Sequence, residues 1–109
     1  MSAAGDTLRA ARETLSDPTR WTQGAYARSA SGRRLWFESP SAVCWCAYGA
    51  LGKHSGLHPE EGRAADFLRR AADELFDLYP TEVNDDRGHA AVLSMYDLAI
   101  ALADVEARS

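Results

Sequence analysis

Residues Ser39 to Gly52 read SPSAVCWCAYGALG, and the way this stretch is folded decides the rest of the chain. Ser39 followed by Pro40 predicts a helix start. A serine hydroxyl can accept a first-turn N–H, and proline lacks only a donor that would be unsatisfied there. On helical spacing Val43, Cys44, Ala47, Ala50 and Leu51 share one face, while Trp45, Cys46, Tyr48 and Gly49 fill the remaining circumference. A helix without a polar face belongs inside a domain with other elements packed around it. Gly49 and Ala50 would let a neighbouring backbone come close, which offsets the roughly 1 kcal/mol that a helical glycine costs relative to alanine.

Outward from this segment the pattern is amphipathic. On the N-terminal side Asp6 can cap a helix with Leu8, Ala11 and Leu15 on one stripe, ended by Ser16-Asp17-Pro18. Between Arg20 and Ser39 aromatic residues are scattered among small and basic ones. The two readings are a hairpin, with Ala27–Ser29 facing Arg33–Leu35 across Ser31-Gly32, or an irregular aromatic loop. On the C-terminal side Pro59, Glu60 and Glu61 mark a helix start. This helix runs to about Tyr79 with Ala64, Phe67, Leu68, Ala71, Leu75 and Phe76 as its stripe, and Pro80 stops it. A polar connection follows, then a helix from His89 to about Glu106 carrying Val92, Met95, Leu98, Ala99, Leu102 and Val105. The expected fold is mostly α: a compact four-helix single domain over residues 1–109, with the short β-hairpin or aromatic loop between helices 1 and 2.

Composition bounds the function. A chain of 109 residues with 46% hydrophobic and 26% charged residues has ordinary globular character. Its formal charge of −4 argues against a nucleic-acid binder held by phosphate contacts. The arginines and acids of MSAAGDTLRAARETL leave no run suited to a signal peptide or a bilayer span, so the expected setting is the cytoplasm, away from membranes. A homodimer is compatible with this size.

Four constellations could carry chemistry. Cys44 and Cys46 resemble half of a metal motif, but two residues along a helix rotate a side chain by roughly 200°, so the thiols would diverge. They read first as small buried thiols, and no metal or cofactor is expected. The sharper alternative is a Cys/His hydrolase or transferase, with Cys46 or Cys44 as nucleophile, His89 as base and Asn84 or Asp85 as orienting group. His54, His58 and His89 have no recognised metal-ligand spacing, and a metal- or small-ligand-binding domain is a further alternative. Asn84-Asp85-Asp86 is suited to capping the following helix. Finally, Trp21, Tyr26, Arg33, Arg34 and Trp36 concentrate the aromatic and arginine residues that dominate protein-binding hot spots.

Three fragments together carry a family resemblance: Trp21-Thr-Gln-Gly-Ala25, Trp45-Cys46-Ala-Tyr-Gly49-Ala50, and Asn84-Asp85 ahead of Val92-Leu93 and Asp97-Leu98-Ala99-Ile100. In order and spacing, from Arg20 to Ala101, they resemble an uncharacterised small helical domain family (a domain of unknown function) of bacteria and bacteriophages. Val83 stands where members usually carry a tryptophan. The resemblance implies a fold and a phage or mobile-element context, with no assigned reaction. It also implies that Trp21, Gln23, Trp45, Cys46, Asn84 and Asp85 lie close together, with Gln23 and Asn84 hydrogen-bonded in a semi-buried pocket.

The expected function is therefore that of a small cytosolic interaction protein, an accessory factor or inhibitor acting by protein–protein contact. Its expected binding surface comprises Trp21, Gln23, Tyr26, Arg33, Arg34, Trp36, Trp45 and Asn84.

Overall fold

Leu8, Ala11 and Leu15, the expected stripe of the first helix, have no exposed surface in the computed structural model, which describes residues 3–108. Helix α1 spans Ala3–Ser16, so Asp6 lies within its first turn rather than capping it. A 3₁₀ turn, Pro18–Arg20, follows, capped by the Asp17 carboxylate on Thr19 N–H.

The hairpin reading holds, and a third strand joins it. Strands β1 (Ala27–Arg28), β2 (Arg34–Leu35) and β3 (Cys44–Trp45) form an antiparallel sheet in the order β2-β1-β3. The register pairs Ala27 with both Leu35 and Trp45, and Arg28 with both Arg34 and Cys44. Trp21 adds a parallel bridge to Trp45.

The third strand corrects the reading of Ser39–Gly52. No helix starts at Ser39. Its N–H donates to Trp36 O and its hydroxyl accepts Ser41 N–H, which is a turn. Val43 is 46% exposed, Cys44 and Trp45 pair with β1, and helix α2 is only Ala47–Ser55, with Cys46 as its N-cap. An apolar run of four or five residues fits a buried helix or a paired strand equally by periodicity, and here the open edge of β1 takes it. The all-round apolar reading survives for α2 itself, in which Ala47, Tyr48, Gly49, Ala50, Leu51 and Gly52 are all buried.

Helix α3 spans Arg63–Phe76, shorter at both ends than expected. Pro59 is buried in a turn closed by Glu61 N–H on His58 O, and Asp77 ends the helix in the left-handed conformation at φ 56°. Pro80 opens a new short helix, α4 (Pro80–Glu82), in which the Tyr79 N–H is capped by Glu82. It runs directly into a π-turn, Val83–Arg87, and helix α5 (His89–Arg108) completes the chain. The described residues thus form five helices and a small three-stranded sheet, not four helices and a hairpin.

Helix α5 packs against α1 and α3, and α1 packs also on α2. Val92, Met95, Tyr96 and Ala99 meet Leu68, Ala71 and Leu8 in the core, whereas Leu75 is exposed despite its place in the sequence stripe. The radius of gyration of 12.7 Å is close to the roughly 13 Å expected for a folded chain of this length.

Candidate functional site

The π-turn carries the residue on which most of the expected site converges. Asn84 is 1% exposed, yet every hydrogen-bonding position of its carboxamide is used. Its Oδ1 accepts the indole N–H of Trp21 at 2.7 Å and the backbone N–H of Ala47 at 2.9 Å. Its Nδ2 donates to Thr22 O at 3.0 Å and to Asp85 Oδ1 at 3.1 Å. A buried amide with four good partners is stabilising, whereas any one of them lost would leave a desolvated polar group. Asn84 lies within the π-turn, a conformation frequent at functional sites.

Neighbouring groups extend the network. Gln23 Nε2 donates to the carbonyls of Asn84 at 3.0 Å and Asp85 at 3.1 Å, and Asp85 Oδ1 also accepts Gly24 N–H. Trp21, Gln23, Asn84 and Asp85 are thus joined by hydrogen bonds, and Trp45 and Cys46 are reached through the Trp21–Trp45 bridge and the capped start of α2. The expected capping role of Asn84 is real but directed elsewhere: it caps α2, not the following helix. Trp45 is buried, its indole N–H spent on Phe37 O, so within this grouping it belongs to the core rather than to a surface.

The surface aromatics gather separately. Tyr26, Trp36, Phe37 and His58 form one cluster: Tyr26 meets Trp36 edge-on at 5.4 Å, Trp36 lies 4.7 Å from Phe37, and His58 lies 5.9 Å from Trp36. Phe37 is buried beneath, while Trp36 is 49% exposed. Tyr26 is pinned by donating its hydroxyl to Glu60 Oε2 at 2.6 Å. Burial and that carboxylate push the Tyr26 phenol well above its ordinary range. Arg33 and Arg34 are exposed at the hairpin and make no ion pair among the described residues. His58 and Glu60 were not expected here. The turn signal that would have placed them outside a helix was His58-Pro59, but nothing local indicates contact with Tyr26 across 34 positions.

The two thiols are both free. Cys46 Sγ accepts Gly49 N–H at 3.3 Å, the helix N-terminal position at which thiolates are normally favoured. Burial outweighs that, and the Cys46 thiol is pushed up to about 11. Cys44 Sγ faces Arg28 O at 3.8 Å. All three imidazoles have other partners: His89 Nε2 meets Leu15 O at 2.6 Å and its ring lies tilted against Trp21, His54 Nε2 meets Thr14 Oγ1 at 2.8 Å, and His58 Nδ1 accepts Glu60 N–H. Hydrogen bonds bring Asn84 and Asp85 together but do not join either thiol to an imidazole. Among the described residues no three His, Cys, Asp or Glu side chains group as metal ligands, and no helix is long and apolar enough to cross a membrane.

A small, mostly helical domain whose sheet and π-turn are tied by one buried asparagine, with an aromatic cluster at the surface, is the class that this architecture defines. The chain belongs to the family of unknown function DUF6197, whose sequence model matches residues 1–102. No curated protein and no solved structure matches the chain.

Proposed function

We propose that the protein works by binding another protein through the face around Trp36, as a cytoplasmic accessory factor or inhibitor of the kind that phages and mobile elements use. The observation that carries this reading is the half-exposed Trp36 ring held between Phe37, Tyr26 and His58. A large ring already fixed by its neighbours loses little entropy on docking, and indole and guanidinium groups dominate binding hot spots. Arg33 and Arg34, just ahead of Trp36 in the chain, supply charge that no carboxylate among the described residues pairs with. The phage context rests on the sequence resemblance alone.

The test is a pull-down from host lysate with the tagged chain, followed by Trp36→Ala and Arg34→Ala. Both variants should lose the captured partner with the melting temperature unchanged. Undiminished capture by Trp36→Ala would sink this surface as the binding face.

A further inference from the structure

A cavity of about 310 Å³ opens between the approach to β1, the start of α2 and the π-turn. Tyr26, Tyr48, Glu60, Asp85, Thr81 and Cys46 are among its lining residues. The volume lies at the small end of ligand pockets, about 300–1,000 Å³.

The carboxylates are held but not neutralised. Glu60 Oε2 accepts the Tyr26 hydroxyl, and Asp85 Oδ1 accepts Gly24 N–H and Asn84 Nδ2. Glu60 Oε1 and Asp85 Oδ2 accept no hydrogen bond among the described residues, and neither side chain is in an ion pair. Two arginines that approach the cavity's lining residues are committed elsewhere. Arg69 bonds Asp66 and the Glu60 carbonyl and lies against the Tyr48 hydroxyl, and Arg28 donates to the carbonyls of Gln23 and Gly32. Two acids from segments 25 residues apart in sequence, sharing one cavity with two tyrosines, have the chemistry that recognises an organic cation. An anion would meet both charges without a free cation to offset them.

We propose that this cavity binds a primary alkylammonium or guanidinium group, with Glu60 and Asp85 as its counter-charges and Tyr26 and Tyr48 as its walls. The group belongs either to a free small amine or to a basic side chain of a partner. The site is distinct from the Trp36 face and shares only Tyr26 with it.

The experiment is a nuclear magnetic resonance titration of the isotope-labelled full chain with agmatine, with acetyl-arginine-amide and with the neutral acetyl-citrulline-amide. Saturable shifts at Gly24 and Tyr48 are expected with the first two and not the third. Tighter binding of agmatine assigns the site to free amines, and tighter binding of the capped arginine assigns it to a partner's side chain. Glu60→Gln and Asp85→Asn keep the hydrogen bonds to Tyr26 and Gly24, and each should weaken binding about threefold to fivefold, the loss of one charge pair. Should either variant unfold, the wild-type salt dependence decides, since affinity must fall as ionic strength rises. Citrulline binding as well as arginine, absence of saturable shifts with both cations, or salt-independent affinity would each overturn the proposal.

Discussion

The carboxamide oxygen of Asn84 accepts the backbone N–H of Ala47 at 2.9 Å, so the first residue of α2 is capped by a side chain 37 positions later in the chain. The same oxygen holds the Trp21 indole, and the amide nitrogen holds Thr22 O. Asn84→Ala leaves two buried donors and one acceptor without partners, each costing about 1–3 kcal/mol, so a total loss on the order of 3–4 kcal/mol is expected. Asn84→Asp keeps the accepting oxygen but loses the donor to Thr22 and sets a second charge beside Asp85, so it should fail nearly as badly. Urea unfolding of the two variants checks this, and a loss below that of an ordinary surface substitution would contradict the capping role.

Gly49 is the second tie between sheet and helix. A methyl group at its Cα would lie 1.9 Å from Tyr26 O, a backbone atom that cannot swing aside. At Gly52 the obstacles are the Phe37 and Pro59 side chains near 3 Å, which can yield in part. Gly49→Ala should therefore cost more than the about 1–3 kcal/mol usual for overpacking, and Gly52→Ala should fall inside that range. Gly32, with φ +87° and open space around it, should lose only about 1 kcal/mol on substitution by alanine, from backbone strain alone. Thermal melts of the three variants should rank them in that order.

The contrast between Gly49 and Gly32 shows what could be read in the chain. The small pair Gly49-Ala50 announces a close approach, and the periodicity of Leu8, Ala11, Leu15 and of Val92, Met95, Ala99 announces buried helix faces, because both are local patterns. The Ser31-Gly32 turn left the hairpin and an irregular loop both open, and the pairing of Ala27–Arg28 with Arg34–Leu35 decides for the hairpin. Missing from any local pattern was that Cys44-Trp45 would pair with β1, since a short apolar run suits strand and helix alike and Cys46 is an unusual N-cap. The Asn84 network was legible only as a resemblance. Its partners Trp21, Thr22 and Ala47 lie 37 to 63 positions away, and no spacing rule reaches that far.

Cys46 makes an alkaline prediction. Burial raises its thiol from 9.0 to about 11, so the folded state prefers the neutral form more than the unfolded chain does. The stabilisation is fully present below pH 9 and is lost as pH rises from 9 through 11. Cys46→Ser supplies a hydroxyl that can accept Gly49 N–H without ionising. The urea midpoint of the wild type should thus fall across this window by more than that of the serine variant. Tyr26, Tyr48 and Tyr96 are also raised, and the Cys46 thiolate itself contributes to raising Tyr26 and Tyr96, so their coupling to Cys46 is part of the difference between the two chains. Iodoacetamide should label Cys46 slowly at neutral pH until denaturant is added, and fast labelling of the folded chain would revive the cysteine nucleophile.

His54 sets the acid side. Burial first, and then the neighbouring Lys53 charge, lower its imidazole below the ordinary 6.5, so protonation is easier in the unfolded chain. The neutral ring meets Thr14 Oγ1 at 2.8 Å and ties α2 to α1. The contribution is complete above pH 6.5 and disappears as pH falls through the lowered folded value, because the unfolded state then binds the extra proton. His54→Gln retains a partner for Thr14 and cannot titrate, so it should flatten part of the stability loss between pH 7 and pH 5. Other groups move both chains alike, Asp17 among them, since its carboxyl is held low by the Thr19 hydroxyl and N–H. The informative quantity is the difference in urea midpoint between wild type and His54→Gln at each pH. A difference that does not change with pH would mean that the Thr14–His54 contact is indifferent to protonation and that burial does not disfavour the imidazolium.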